Sequence, residues 1–212
     1  MAQSAAHHLP DDGLGFASRS AFTLIPLAAL IAVLWLLVTH DLPVVGHVAW
    51  VPALGVDLAF HVDGLSVLML LMITGVGTAV FVYAGGYLAG HPQQNRLYVL
   101  LSLFMVAMIG CVTADNLIVL FLFWEMTSLM SFLLVGFNHE QESSRKSAQQ
   151  AFLVTGTGGL ALLAGFIVLG QAMGTYSVSA IVAQLPQVDA TPQLTVALLL
   201  ILVGAFTKSA QF

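Results

Sequence analysis

Two charged residues stand where chemistry is possible and where charge is costly. Glu125 and Lys208 each fall inside a long apolar stretch, at residues 116–137 and 194–212. A carboxylate or an ammonium at membrane depth is unfavourable by several kcal/mol unless paired or hydrated, so such a residue points to function. A carboxylate accepts a proton and an ammonium gives one up. At ~4 Å and an effective dielectric of ~20 their attraction would be about 4 kcal/mol, enough to govern whether Lys208 holds its proton. Two residues would then make a proton switch. The plainer alternative is a static buried ion pair that fixes two helices. Polar neighbours favour hydration at both points. Ser128 follows Glu125 by three residues on the same helical face, with Thr127 and Ser131 at its flank. Thr207, Ser209 and Gln211 surround Lys208. Any of these hydroxyls can instead bond back to its own helix.

The elements that must carry these residues are membrane spans. Of 212 residues, 59% are hydrophobic and only 7% charged, too few charges to coat a soluble globule of this size. Residues 20–40, 64–95, 97–114 and 147–188 contain no Asp, Glu, Lys or Arg. Apolar runs of that length read as transmembrane helices. Six spans are expected, at residues 22–39, 65–85, 97–113, 116–137, 148–170 and 194–212. The fold class is therefore an all-α polytopic bundle of about six helices. Residues 1–20 form a polar cytoplasmic tail and 21–212 the transmembrane domain. Asp57-Leu58-Ala59-Phe60-His61-Val62-Asp63 alternates polar with apolar, after Pro52 and Gly55, which predicts a short β-hairpin on the outer surface. Counted along their spans, Glu125 lies ~14 Å and Lys208 ~21 Å from the outer edge, close enough in depth to interact.

Arg19, Arg96, Arg145 and Lys146 fall in the tail, the second loop and the fourth loop, which share one side if every span crosses. The alternate loops carry Asp41, Asp57, Asp63, Asp115 and Asp189 but no Lys or Arg. The positive-inside rule puts the basic side in the cytoplasm of a cell with this chain in its plasma membrane. Small residues at Gly75, Gly77 and Ala79, and from Thr155 through Gly158 and Gly159 to Gly165, point to close helix packing rather than a phosphate loop.

Other function classes are excluded. One cysteine, Cys111, cannot supply the ligands of an iron–sulfur cluster or a structural zinc, and it reads as a packed thiol. The seven histidines lie outside the spans without metal-ligand spacing, so neither a metal nor another cofactor is expected. A net charge of −5 with no basic cluster leaves no footprint for nucleic acid.

Trp124-Glu125-Met126-Thr127-Ser128, the run Gly136-Phe137-Asn138-His139-Glu140 through Ser144-Arg145-Lys146-Ser147-Ala148, and Gly204-Ala205-Phe206-Thr207-Lys208-Ser209-Ala210-Gln211-Phe212 carry a resemblance. With the outer segment Trp50-Val51-Pro52-Ala53-Leu54-Gly55, they resemble the large A subunit of Mrp-type multisubunit sodium/proton antiporters. That subunit is similar to the antiporter-like membrane subunits of respiratory complex I. The resemblance implies that Glu125 matches the family's essential glutamate and Lys208 the lysine of its first discontinuous helix. It implies secondary transport of Na+ and H+ beside other antiporter subunits in the lipid bilayer. It also implies further spans on both sides, so the chain is expected to carry half a proton path and not to transport alone. The alternatives are a proton-pumping subunit of a redox-driven quinone oxidoreductase, and an inactive structural fragment.

Overall fold

The computed structural model describes residues 16–51, 56–89 and 91–209. Helix α1 (Phe16–Thr39) leads into an antiparallel hairpin of β1 (Val44–Val51) and β2 (Val56–Val62). Then come α2 (Gly64–Tyr87), α3 (Gln94–Thr113), α4 (Leu117–Val135) and α5 (Glu142–Met173). A short α6 (Val178–Gln184), a 3-10 turn at Leu185–Gln187 and α7 (Pro192–Lys208) follow. Five of the helices, α1 to α5, are long and apolar enough to cross a membrane. Helix α7, also apolar, has 17 residues. At 1.5 Å per residue it is ~25 Å long.

Polar residues start these helices where apolar ones could not. The Asp63 carboxylate accepts from the Ser66 N–H at 2.8 Å and caps α2. The Asn116 side-chain oxygen does the same for α4, accepting from Ile118 and Val119. Thr191 caps α7, whose first residue is Pro192, a position where the missing N–H costs nothing. Helix α5 ends at Gly174, whose φ of 68° is the left-handed conformation that favours glycine.

The helices pack as chain neighbours, with α7 against α5. At the α1–α2–α3 contact the Tyr98 ring is fully buried and stacks on Phe22 at 4.9 Å, and its hydroxyl donates to the Phe81 carbonyl at 3.4 Å. A second core gathers Leu117, Leu162, Phe166, Ile181 and Ala197 from α4 to α7. Outside these cores large apolar side chains such as Trp35, Val76, Leu160 and Leu199 stay exposed. That distribution suits a lipid surround, where exposed leucine is not penalised.

The hairpin stands where alternation predicts it, but β1 begins as early as Val44, and the tip at 52–55 lies outside the described residues. Other boundaries differ. The segment 171–193, expected as a linker, folds into α6 and the 3-10 turn, because Ser177 caps a helix of seven residues too short to register as a span. Arg96 lies in the first turn of α3, and Arg145 and Lys146 near the start of α5, so these charges extend helices rather than loops. Helix α1 begins six residues before the expected span, while residues 1–15 of the expected tail lie outside the described residues, as do 210–212 at the other end.

Candidate functional site

The site is built on a notch in α5. Gly158 and Gly159 are buried and have no side chains to keep neighbours away. The Glu125 carboxylate of α4 lies over Gly159, where an added Cβ would collide with Oε1. Thr207 of α7 lies over Gly158 in the same way. Gly204 completes the approach: a Cβ there would stand 2.9 Å from the Gly158 carbonyl and 2.7 Å from Leu162 Cβ. The expected small-residue packing thus operates at Gly158 and Gly159, whereas Gly156 faces open space. The two notch residues admit the Glu125 and Thr207 side chains.

Lys208 is the last residue of α7, so its positive charge also sits at the helix end that favours cations. Its ammonium turns back to α4, donates to the Ser128 hydroxyl at 2.5 Å and stands 5.4 Å above the centre of the Trp124 ring. Ser128 in turn donates to the Trp124 carbonyl at 3.3 Å. A charge-assisted hydrogen bond and a cation–π contact together replace much of the lost hydration.

Glu125 and Lys208 do not touch. Among the described residues the ion pairs are His47–Asp57 and Glu142–Lys146, so a direct Glu125–Lys208 salt bridge is absent. The notch draws the carboxylate toward α5, while Ser128, one turn along α4, takes the ammonium. The two charges still feel each other electrostatically. Glu125 Oε1 is buried without a hydrogen-bond partner, and so is the indole N–H of the adjacent Trp124. Buried polar atoms left unsatisfied are uncommon, and each calls for a reason such as a catalytic role or a water or ion that completes it.

The other expected site residues divide. Ser128 joins the charged cluster. Thr127 is buried but donates at 2.7 Å to the Trp124 carbonyl of its own helix. Thr207 also bonds within its helix, to the Gly204 carbonyl at 2.7 Å, yet its side chain fills the Gly158 notch. Ser131 is half-buried and hydrogen-bonds to neither charge. Trp124 is a site residue that the sequence reading missed. Its spacing of four from Ser128 is the signal that puts both on one face.

The loop charges also acquire roles. Asp115, in the short link between α3 and α4, is buried and ties three segments together. Its N–H donates to the Ala59 carbonyl of β2 at 2.8 Å, and its carboxylate accepts from Ser177 Oγ at 3.1 Å, Ser179 Oγ at 2.7 Å and Ser179 N–H at 2.7 Å. At the opposite ends of these helices the Arg96 guanidinium stacks 5.7 Å from the Phe137 ring centre, bringing the α2–α3 and α4–α5 connections together.

Two family models match. Residues 114–212 fit the transmembrane family described as NADH:quinone oxidoreductase/Mrp antiporter. Residues 50–98 fit the N-terminus of chain 5 of NADH-ubiquinone oxidoreductase, complex I. The A subunit of the Na+/H+ antiporter of Alkalihalophilus pseudofirmus is 45% identical over 180 residues, covering 84% of this chain and 22% of that protein. The chain belongs to the antiporter-like membrane-subunit family that includes the large A subunits of Mrp antiporters. Another relative in this family, the A1 subunit of the Na+/H+ antiporter of Staphylococcus haemolyticus, is 44% identical over 162 residues, 76% of this chain and 20% of that protein. The chain thus spans about a fifth of the length of the curated relatives it matches. The solved Mrp complex from Dietzia sp. contains a chain that superposes with a TM-score of 0.81 at 32% identity, over 90% of this chain and 21% of that one. A chain of the membrane-bound sulfane sulfur reductase, an archaeal respiratory membrane complex, shares the fold alone, with a TM-score of 0.77 at 18% identity over 91% of this chain and 39% of that one. Glu125, Ser128 and Lys208 all lie in the segment matched by the antiporter-like transmembrane model.

Proposed function

We propose that this chain forms part of the proton route of a multisubunit sodium/proton antiporter, in which Glu125 and Lys208 exchange protons as a coupled pair. It works in the cell membrane beside other antiporter subunits, with Na+ and H+ as the transported ions and the Arg96–Arg145 end in the cytoplasm. The observation that carries the reading is the Lys208–Ser128 hydrogen bond, which holds the ammonium one helical turn from a carboxylate whose Oε1 has no partner.

The chemistry follows from that arrangement. With Glu125 ionised, its field favours the ammonium form of Lys208. A proton reaching Glu125 removes that field, and Lys208 can pass its own proton on. Ser128 suits the relay because a hydroxyl accepts from the lysine while donating elsewhere. The Trp124 ring steadies the charge without fixing the proton. Identity of 45% to a relative named for Na+/H+ antiport supports this reading over a redox-driven assembly, although one matching family model spans both.

The test is Glu125→Gln in the assembled complex. Sodium-dependent proton movement in everted vesicles should be abolished while the complex still assembles. Normal exchange by that variant would overturn the reading.

A further inference from the structure

We infer that the cleft between Arg96 and Arg145 binds the phosphate of an anionic glycerophospholipid. A cavity of about 230 Å³ opens where the start of α3, the end of α4 and the start of α5 meet. Arg96, His139, Arg145 and Gln149 supply its polar lining, and Phe132 and Ala148 part of its apolar floor. Phe132 lies one turn along α4 from Ser128, but Glu125, Ser128 and Lys208 are not among the lining residues, and the inference does not depend on the transport reading.

Both arginines are held in place before any ligand arrives. Arg96 lies against the Phe137 ring and donates through Nη1 to Gln93 Oε1 at 3.5 Å. Arg145 donates through the same atom to the His139 carbonyl at 2.6 Å and the Glu140 carbonyl at 3.1 Å. A guanidinium has five N–H donors, so each keeps others for a phosphate oxygen. Among the described residues no carboxylate lines the cavity, and Glu142 is engaged by Lys146 at 2.8 Å. The cleft lies at the ends of membrane-crossing helices, where headgroup phosphates stand. A basic pocket between such helices is suited to an anionic headgroup. The apolar floor decides the source, since a glycerol backbone with acyl chains covers the half-buried Phe132 and Leu133 and a free phosphate does not.

The full chain in nanodiscs, followed by native mass spectrometry, tests this with phosphatidylglycerol against phosphatidylcholine of the same acyl chains. Phosphatidylglycerol should be retained preferentially. Replacing Arg96→Gln or Arg145→Gln should weaken retention roughly fivefold each, and Lys146→Arg, which keeps the charge and the Glu142 pair, should leave it unchanged. Equal retention of both lipids, or an unchanged preference in the double glutamine variant, would overturn the proposal. So would release of phosphatidylglycerol by inorganic phosphate alone, which would mean that the cleft reads a free anion. A photoactivatable phosphatidylglycerol on the unmodified chain gives a reading independent of variant folding. It should label residues 132–149, and labelling confined to other segments would contradict the site.

Discussion

The Lys208 ammonium donates to the Ser128 hydroxyl at 2.5 Å, joining α7 to α4 across a sequence separation of eighty residues. This bond, rather than a salt bridge to Glu125, holds the lysine within the bundle. A charge held by a neutral acceptor can be discharged without breaking an ion pair. The geometry therefore favours a site that changes protonation over one that merely clamps two helices.

Removing the acceptor should show this. Ser128→Ala deletes a hydrogen bond to a charged group, an interaction of about 1.5–3 kcal/mol, and should lower antiport in the assembled complex by about tenfold or more. Thr127→Val, which removes only a bond to the same helix, should change exchange by less than about twofold. Dye-quench assays on matched vesicle preparations compare the two, and equal losses would place the effect in the helix backbone instead.

The notch in α5 makes a second contrast. In Gly159→Ala the added methyl meets the Glu125 carboxylate, so the side chain must shift, with an overpacking cost of about 1–3 kcal/mol. Gly156→Ala meets nothing within 4 Å, and gains helix propensity of about 1 kcal/mol. Thermal unfolding in detergent should fall for the first and hold or rise for the second, with antiport lost only in the first.

Much of this architecture was legible in the sequence, for identifiable reasons. Uncharged runs mark the long helices because bilayer length leaves few alternatives, and the Asp57–Asp63 alternation marks β2 because the side-chain period is two. Helix α6 was not legible, since seven residues of mixed polarity resemble a linker. Ser128 was expected as a polar neighbour of Glu125. That it would take the lysine depends on how closely α7 meets α5 at Gly204 and Gly158, which no single segment encodes. Asp115 read as a loop charge because its partners, Ser177 and Ser179, lie more than sixty residues away.

Asp115 should therefore matter for stability. Asp115→Ala strands the Ser177 and Ser179 hydroxyls and the Ser179 backbone N–H at the start of α6, at a cost of about 3 kcal/mol, while Asp115→Asn keeps an acceptor and should lose less. Limited proteolysis within 171–193 should accelerate in the alanine variant. Unchanged cleavage would mean that the three segments hold together without the carboxylate.

Acid should weaken the start of α2. The Ser66 N–H holds the Asp63 carboxyl below the usual carboxylate range. The folded form thus binds its proton less readily than the unfolded form. The cap's contribution is full above about pH 4 and is lost as pH falls through the lower folded value. Hydrogen exchange at Ser66 and Val67 should rise over that acid window, and Asp63→Asn should flatten the response. An identical acid response in Asp63→Asn would assign it to another group.

The most direct measurement compares Lys208→Ala with Lys208→Arg in the assembled antiporter, using sodium-driven pH changes in everted vesicles. Alanine removes the proton carrier. Arginine keeps a charge in nearly the same position, but guanidinium does not release its proton in a protein. If Glu125 and Lys208 exchange protons, both variants should lose antiport while the complex still assembles. Normal antiport in Lys208→Arg would contradict the account and leave the lysine as a fixed charge that braces α7 against α4.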